Sequence, residues 1–285
     1  MGEPWQASPA WKVVERAEDA LGQPLAHLLL DATEADLGRT REAQLAVLLA
    51  SLLAWEAVRD RMEAPVAFAG HSLGQITALI ASGALTLEAG VRLAVRRADC
   101  TQAAAEARPG RMAALIGAGV EVAEQACEGV EAWVANDNAP GQVVIGGTPE
   151  GVDAAAERAG GLGVRRVMKL NVGAAFHTTL MAPAAEALRP DLDGTAFEAP
   201  DAPVVSNTDA RPYAGADGWP ARLAEHLILP VRWRSSMETL VALGADTFCE
   251  VGPGSVLAGL AKRTVGSSVT LRSVTVPTDA LLEVA

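Results

Sequence analysis

Gly70-His71-Ser72-Leu73-Gly74 sets a serine between two glycines where an apolar run, Ala64 to Ala69, gives way to a helical pattern of Ile76, Leu79 and Ile80. A strand running straight into a helix holds the residue between them in a strained turn, and glycines on either side let backbone approach without a clash. A serine so placed stands at a helix N-terminus, where free N–H groups favour developing negative charge. This is the layout of a nucleophile elbow, and its chemistry is covalent catalysis through a serine. Chance yields the same spacing in about one such chain in ten, so its partners must decide.

A serine hydroxyl is a poor nucleophile until a base takes its proton, and the chain offers four histidines. His71 adjoins the serine, but neighbouring side chains at a sharp turn point apart, which places it beneath the elbow. His27, in the apolar helix Leu25 to Leu30, and His226, behind Arg222 and Glu225, read as solvated or core residues. His177 follows a strand in Gly173-Ala174-Ala175-Phe176-His177-Thr178, a loop of small residues before a new helix. Loops at strand ends display catalytic groups, so His177 is either the base or a structural histidine.

The elements that must position these groups follow from periodicity. Helical spacing marks Trp11 to Leu21, the run through Leu45, Leu48, Leu49 and Leu52, and Leu87 to Ala105. Between Pro109 and Val172 the order becomes strand (Met112 to Ile116), helix (Val120 to Cys127), strand (Ala132 to Ala135), strand (Val143 to Gly146), helix (Pro149 to Ala159) and strand (Val164 to Leu170). That is the βαββαβ, ferredoxin-like pattern, with Asn136 to Gly141 as its central turn and Thr148-Pro149 as a helix start. Short strands at Pro203 to Ser206, Thr247 to Val251 and Val269 to Val274 then alternate with helices near Pro220 to Leu227, Ser235 to Leu243 and Ser255 to Arg263, which implies a mostly parallel sheet flanked by helices. The expected fold is α/β, with a core over 1–108 and 174–285 and an inserted subdomain over 109–173.

Composition narrows the partners. Half of the 285 residues are apolar, enough for a large core, and a net charge of −12 argues against nucleic acid. Cys100, Cys127 and Cys249 fit no metal spacing and are expected as three buried thiols in a reducing cytoplasm. The most apolar stretch, Ala43 to Ala57, carries Gln44 and Glu56 and is too short and polar for a membrane span, and no signal peptide is expected.

Almost the whole chain resembles the malonyl-CoA:acyl carrier protein transacylases and the acyltransferase domains of fatty acid and polyketide synthases. The likeness rests on Gly70 to Gln75, Val91 to Arg97, Asn136-x-Asn138-x-Pro140-Gly141-Gln142-Val143-Val144-Ile145, Phe176-His177-x-x-Leu180-Met181, Pro230 to Trp233 and Glu250 to Gly254. It implies an α/β-hydrolase-like large subdomain and ping-pong transfer of an acyl group from CoA through a serine ester to the phosphopantetheine thiol of an acyl carrier protein, with no metal or redox cofactor. Ser72 matches the nucleophile, His177 the base, and the Leu73 N–H one oxyanion donor. A backbone carbonyl in the Pro230 to Trp233 segment, that of Arg232, is expected to orient the histidine. His71, Asn138 and Phe176 match substrate-side residues, and Phe176 accompanies malonyl over methylmalonyl preference. Arg97 matches the arginine that holds the malonyl carboxylate; the residue pattern alone, with Arg92 and Arg96 beside it, favours a solvated arginine.

The family begins with a strand ending in Gly-Gln-Gly-Ser-Gln, which supplies a second oxyanion donor, and this chain carries no such motif. Losing one donor costs typically ~10²- to 10³-fold in rate. A start codon assigned too late, or trimming of the N-terminus, is the simple expectation, tested by translating the upstream DNA; absence of the motif there would favour genuine divergence. Two rival readings remain: an α/β-hydrolase esterase or thioesterase, whose acid normally precedes a late histidine, and an impaired homologue acting as a binding or scaffold protein. The acidic chain must also meet an acidic carrier protein. Arg92, Arg96, Arg232, Arg234, Lys262 and Arg263 are expected either as a basic rim, docking weakly and salt-sensitively, or as scattered solvated charges.

Overall fold

The computed structural model describes residues 1–279. Strand β1 (Phe68–Ala69) delivers the elbow, and the helix Gly74–Ala81 leaves it. Most of the expected strand from Ala64 lacks ladder pairing, because β1 meets its neighbour over two residues only.

A second sheet comprises β2 (Arg111–Ile116), β3 (Ala132–Ala139), β4 (Gln142–Gly147) and β5 (Arg166–Lys169). Its order, β3-β4-β2-β5 with every pairing antiparallel, is that of a ferredoxin-like unit. The helices Val120–Cys127 and Pro149–Gly161 cover one face, where Leu115, Ile145 and Val152 form a separate core. The other face, with Met112, Ala114, Ala135 and Val144, turns toward Phe176. The expected central turn needs correction. Asn136, Asp137 and Asn138 belong to β3, and the reversal falls on Pro140-Gly141, where Gly141 takes a φ of 73° that an L side chain resists. Two register shifts in β3 absorb the polar residues and re-aim their side chains.

The remaining strands are β6 (Val204–Val205), β7 (Pro212–Tyr213), β8 (Thr247–Val251) and β9 (Thr270–Val274). β1 runs parallel to β6, which pairs antiparallel with β7, while β8 and β9 form a parallel pair of their own. The parallel sheet of the larger part thus comes in two pieces. The helices Thr40–Val58 and Leu87–Ala107 pack together in the main core, with Leu45, Leu49, Leu93 and Ala94 fully shielded. Cys100 and Cys127 are buried as expected, but Cys249 is only half-buried, at the margin of the main core. Among the described residues no helix is long and apolar enough to cross a membrane.

Candidate active site

Ser72 sits between β1 and the helix Gly74–Ala81 with a φ of 54°, a left-handed conformation that a non-glycine residue holds only when its surroundings enforce it. The two flanking glycines differ in need. A Cβ on Gly70 would stand 1.8 Å from the Gly74 carbonyl oxygen, whereas one on Gly74 would meet nothing within 4 Å. Gly70→Ala should therefore cost at least about 3 kcal/mol in urea unfolding, since backbone must move, while Gly74→Ala should change stability by no more than about 1 kcal/mol. Equal effects from the two substitutions would contradict this account of the elbow.

The elbow is clamped by a residue the sequence reading missed. Asn207, buried just beyond β6, accepts the Ser72 N–H through Oδ1 at 2.8 Å and donates from Nδ2 to the Gly70 carbonyl at 2.8 Å. Its own N–H donates to Gln75 Oε1 at 2.9 Å. The available signal is position: residues just past the ends of adjacent parallel strands converge on the same crevice.

His177 reaches the serine across 105 residues of chain, its Nε2 lying 2.7 Å from Ser72 Oγ. Nδ1 lies 2.7 Å from the carbonyl oxygen of His226, which can only accept, so Nδ1 carries the proton. Nε2 of the neutral ring is left as a lone pair facing the hydroxyl. This corrects the expected role of Arg232. Its carbonyl is spent on the N–H and Oγ–H of Ser236, both at 2.9 Å, because Arg232 caps the helix Trp233–Ala242. His226 lies near the end of the helix Trp219–Ile228, and the residue four places on is Pro230, which has no N–H to fill the His226 carbonyl. The His226 ring is buried too and stacks on His177 at 4.9 Å, so it is neither solvated nor a plain core residue.

Burial, and secondarily the Arg97 guanidinium, push the His177 pKa down to about 3, against the opposing pull of the His226 carbonyl. His71 and His226 are also held below the usual histidine range, chiefly by desolvation. All three imidazoles at the elbow are therefore neutral at pH 7.

Arg97 departs from its neighbours. Arg96 pairs with Asp191 at 3.1 Å and Arg92 reaches the Ala20 carbonyl at 3.5 Å, both near the surface. Arg97 is 5% exposed, on the stripe of Leu93 and Thr101 one turn to either side. Nη2 lies 3.3 Å from Ser72 Oγ, and Nη1 donates to Gln44 Oε1. Among the described residues no carboxylate balances this guanidinium, and burial brings its pKa down to about 10 without discharging it at neutral pH.

The other expected residues gather around this core. The Leu73 N–H, next after the serine, engages no hydrogen bond among the described residues. His71 Nε2 and Asn138 Oδ1 are 2.8 Å apart, and His71 meets the edge of Trp233 at 5.3 Å. Phe176 packs against both the main core and the open face of the four-stranded sheet. His27 lies away from these groups, on the helix Ala26–Leu30. Of the expected rim, Arg96 and Arg234 are paired with Asp191 and Glu238, while Arg232, Lys262 and Arg263 are exposed. A hydroxyl with a neutral imidazole at hydrogen-bond distance, a free N–H beside it and an uncompensated guanidinium can together acylate and deacylate a serine with an anionic acyl group.

Known proteins resemble this chain along most of its length. The family described as "Acyl transferase domain" matches residues 5–279. The malonyl CoA-acyl carrier protein transacylase of Bacillus subtilis is 37% identical over 263 residues, covering 90% of this chain and 83% of the relative. The solved acyl-carrier-protein S-malonyltransferase of Bartonella henselae has a TM-score of 0.92 at 32% identity, covering 99% of this chain and 92% of that one. A malonyl-transacylase solved in complex with a type II PKS acyl-carrier protein has a TM-score of 0.90 at 33% identity, covering 95% and 89%. The matched span takes in the elbow, the histidine loop and all three sheets, and the chain belongs to the acyl transferase domain family, beside its malonyl CoA-acyl carrier protein transacylases.

Proposed function

We propose that this protein transfers a malonyl group from malonyl-CoA to the phosphopantetheine thiol of an acyl carrier protein. The observation that carries the reading is the pairing of Ser72 Oγ with His177 Nε2 at 2.7 Å beside a buried, uncompensated Arg97 3.3 Å from the same oxygen. His177 takes the hydroxyl proton as Oγ attacks the thioester carbonyl, and the Leu73 N–H receives the oxyanion. The carbon–sulfur bond then breaks, and His177 returns the proton to the departing CoA thiolate. The carrier thiol reverses these steps: it gives its proton to His177, its sulfur attacks the ester, and Ser72 Oγ leaves with the proton.

Arg97 offers the malonyl carboxylate two parallel donors, a geometry lysine lacks. Phe176 crowds the side where an α-methyl would stand, a contact worth about 1 to 3 kcal/mol of discrimination. His71 and Asn138 line the substrate side as a hydrogen-bonded pair. The exposed Arg232, Lys262 and Arg263 give an acidic carrier a salt-sensitive footing on an otherwise acidic protein. Three free thiols support a reducing, cytoplasmic setting.

Incubation with malonyl-CoA followed by intact mass measurement should show one malonyl adduct, absent in Ser72→Ala and discharged by a carrier protein bearing phosphopantetheine. Net hydrolysis of malonyl-CoA faster than transfer to the carrier would overturn the reading.

A further inference from the structure

Arg97 is aimed by a neutral side chain, and the hydrogen bonds around that side chain define which of its ends does the aiming. The Thr101 hydroxyl gives its proton to the Ala98 carbonyl at 3.1 Å, so its oxygen meets Gln44, 3.3 Å away, as an acceptor. That makes Nε2 the Gln44 atom facing Thr101 and turns Oε1 toward Arg97 Nη1. Thr101 lies one turn beyond Arg97 on the helix Leu87–Ala107, so the arginine's own helix orients the amide that orients the arginine. The nearest acidic residue along this helix, Asp99, is committed to Arg41 at 2.7 Å.

We infer that Gln44 is a specificity-determining positioning residue: it supplies the acceptor that holds the Arg97 guanidinium toward Ser72 while withholding the negative charge that would neutralise it. The carboxylate of the incoming acyl group is then the counter-ion of a site that otherwise carries an unbalanced positive charge. A glutamate at this position would have the same reach and the same acceptor, but would form an internal ion pair and repel the acyl carboxylate. The inference rests on the malonyl reading above and extends it to a residue on a different helix, Thr40–Val58.

The test compares the ratio of kcat/KM for malonyl-CoA to that for acetyl-CoA in the full chain and in Gln44→Glu, Gln44→Met and Arg97→Ala. Gln44→Glu should lower the ratio at least 100-fold, while Gln44→Met, which removes the acceptor without adding charge, should lower it by only about 3- to 10-fold. A ratio in Gln44→Glu within 3-fold of the native value, or equal losses in both Gln44 variants, would overturn the inference. Should Gln44→Glu lose its cooperative melting transition, Gln44→Met decides: a ratio lowered by about 3- to 10-fold supports the inference, and one unchanged or lowered 100-fold overturns it. Arg97→Ala separates the two levels. A ratio unchanged in Arg97→Ala sinks the malonyl clamp itself, whereas a ratio lost there and kept in Gln44→Glu sinks only the role of Gln44.

Discussion

Replacing His177 with alanine should slow formation of the Ser72 ester by about 10²- to 10⁴-fold, the usual worth of a positioned general base, with little change in KM for malonyl-CoA. The native enzyme should also have an unusual pH profile. Burial and the Arg97 guanidinium depress the His177 pKa to about 3, so Nε2 keeps its lone pair well below neutrality. Single-turnover acylation should therefore stay level from pH 8 down to about pH 5, where an ordinary histidine, titrating near 6.5, would already be protonated. An inflection near pH 6.5 in that profile would refute the depression of the His177 pKa by burial and by Arg97.

The same depression ties stability to pH. The folded protein holds His177 neutral while the unfolded chain binds its proton near pH 6.5, so unfolding takes up protons between these limits. The contribution is complete above about pH 6.5 and is lost as pH falls from there toward about 3, with His71 and His226 acting in the same direction. Urea midpoints should fall steadily over that window.

The second large effect belongs to Arg97. Arg97→Ala should lower the malonyl-to-acetyl ratio of kcat/KM by about 100-fold, or about 2.8 kcal/mol at 1.4 kcal/mol per tenfold. The size follows from a charge-assisted, two-donor contact made in a site shielded from water. Arg97→Lys should recover only part of the loss, because an ammonium keeps the charge but not the planar fork. Loss of the guanidinium should also let the His177 pKa rise, since that positive charge is second only to burial in depressing it. Rates measured on both thioesters across pH in Arg97→Ala test the two consequences together.

Several elements are legible from residue order alone. The helix Val120–Cys127 and the strand Thr247–Val251 fall where periodicity and turn residues place them, and helices such as Leu87–Ala107 and Pro149–Gly161 differ only at their ends, while Ala182–Asp193 is legible only as a new helix after His177. The serine between β1 and its helix is legible for the same reason, because the elbow is a local strand-turn-helix unit. Short strands are harder. β1 and β6 hold two residues each, and their extent is set by mutual pairing rather than by propensity. The β3–β4 reversal is misplaced because Asn136, Asp137 and Asn138 are turn formers, yet tertiary pairing keeps them in the strand. Asn136 bridges to Val231, and Asn138 reaches His71.

Residue types and their spacing along the chain thus mark the elbow serine, the histidine loop and the βαββαβ insertion. These depend on backbone preferences and periodicities that act over a few residues. The partners of the reacting groups depend on folding. The His226 carbonyl comes to His177 from 49 residues away, and the Asn207 amide comes to Ser72 from 135 residues away. The motif resemblance singles out Arg97, but what separates it physically from Arg96 is which face of its helix meets the core. A hydrogen bond selects its acceptor by distance and direction in space, and burial of a charge is a property of the packed interior, so neither is written in any local stretch of the chain.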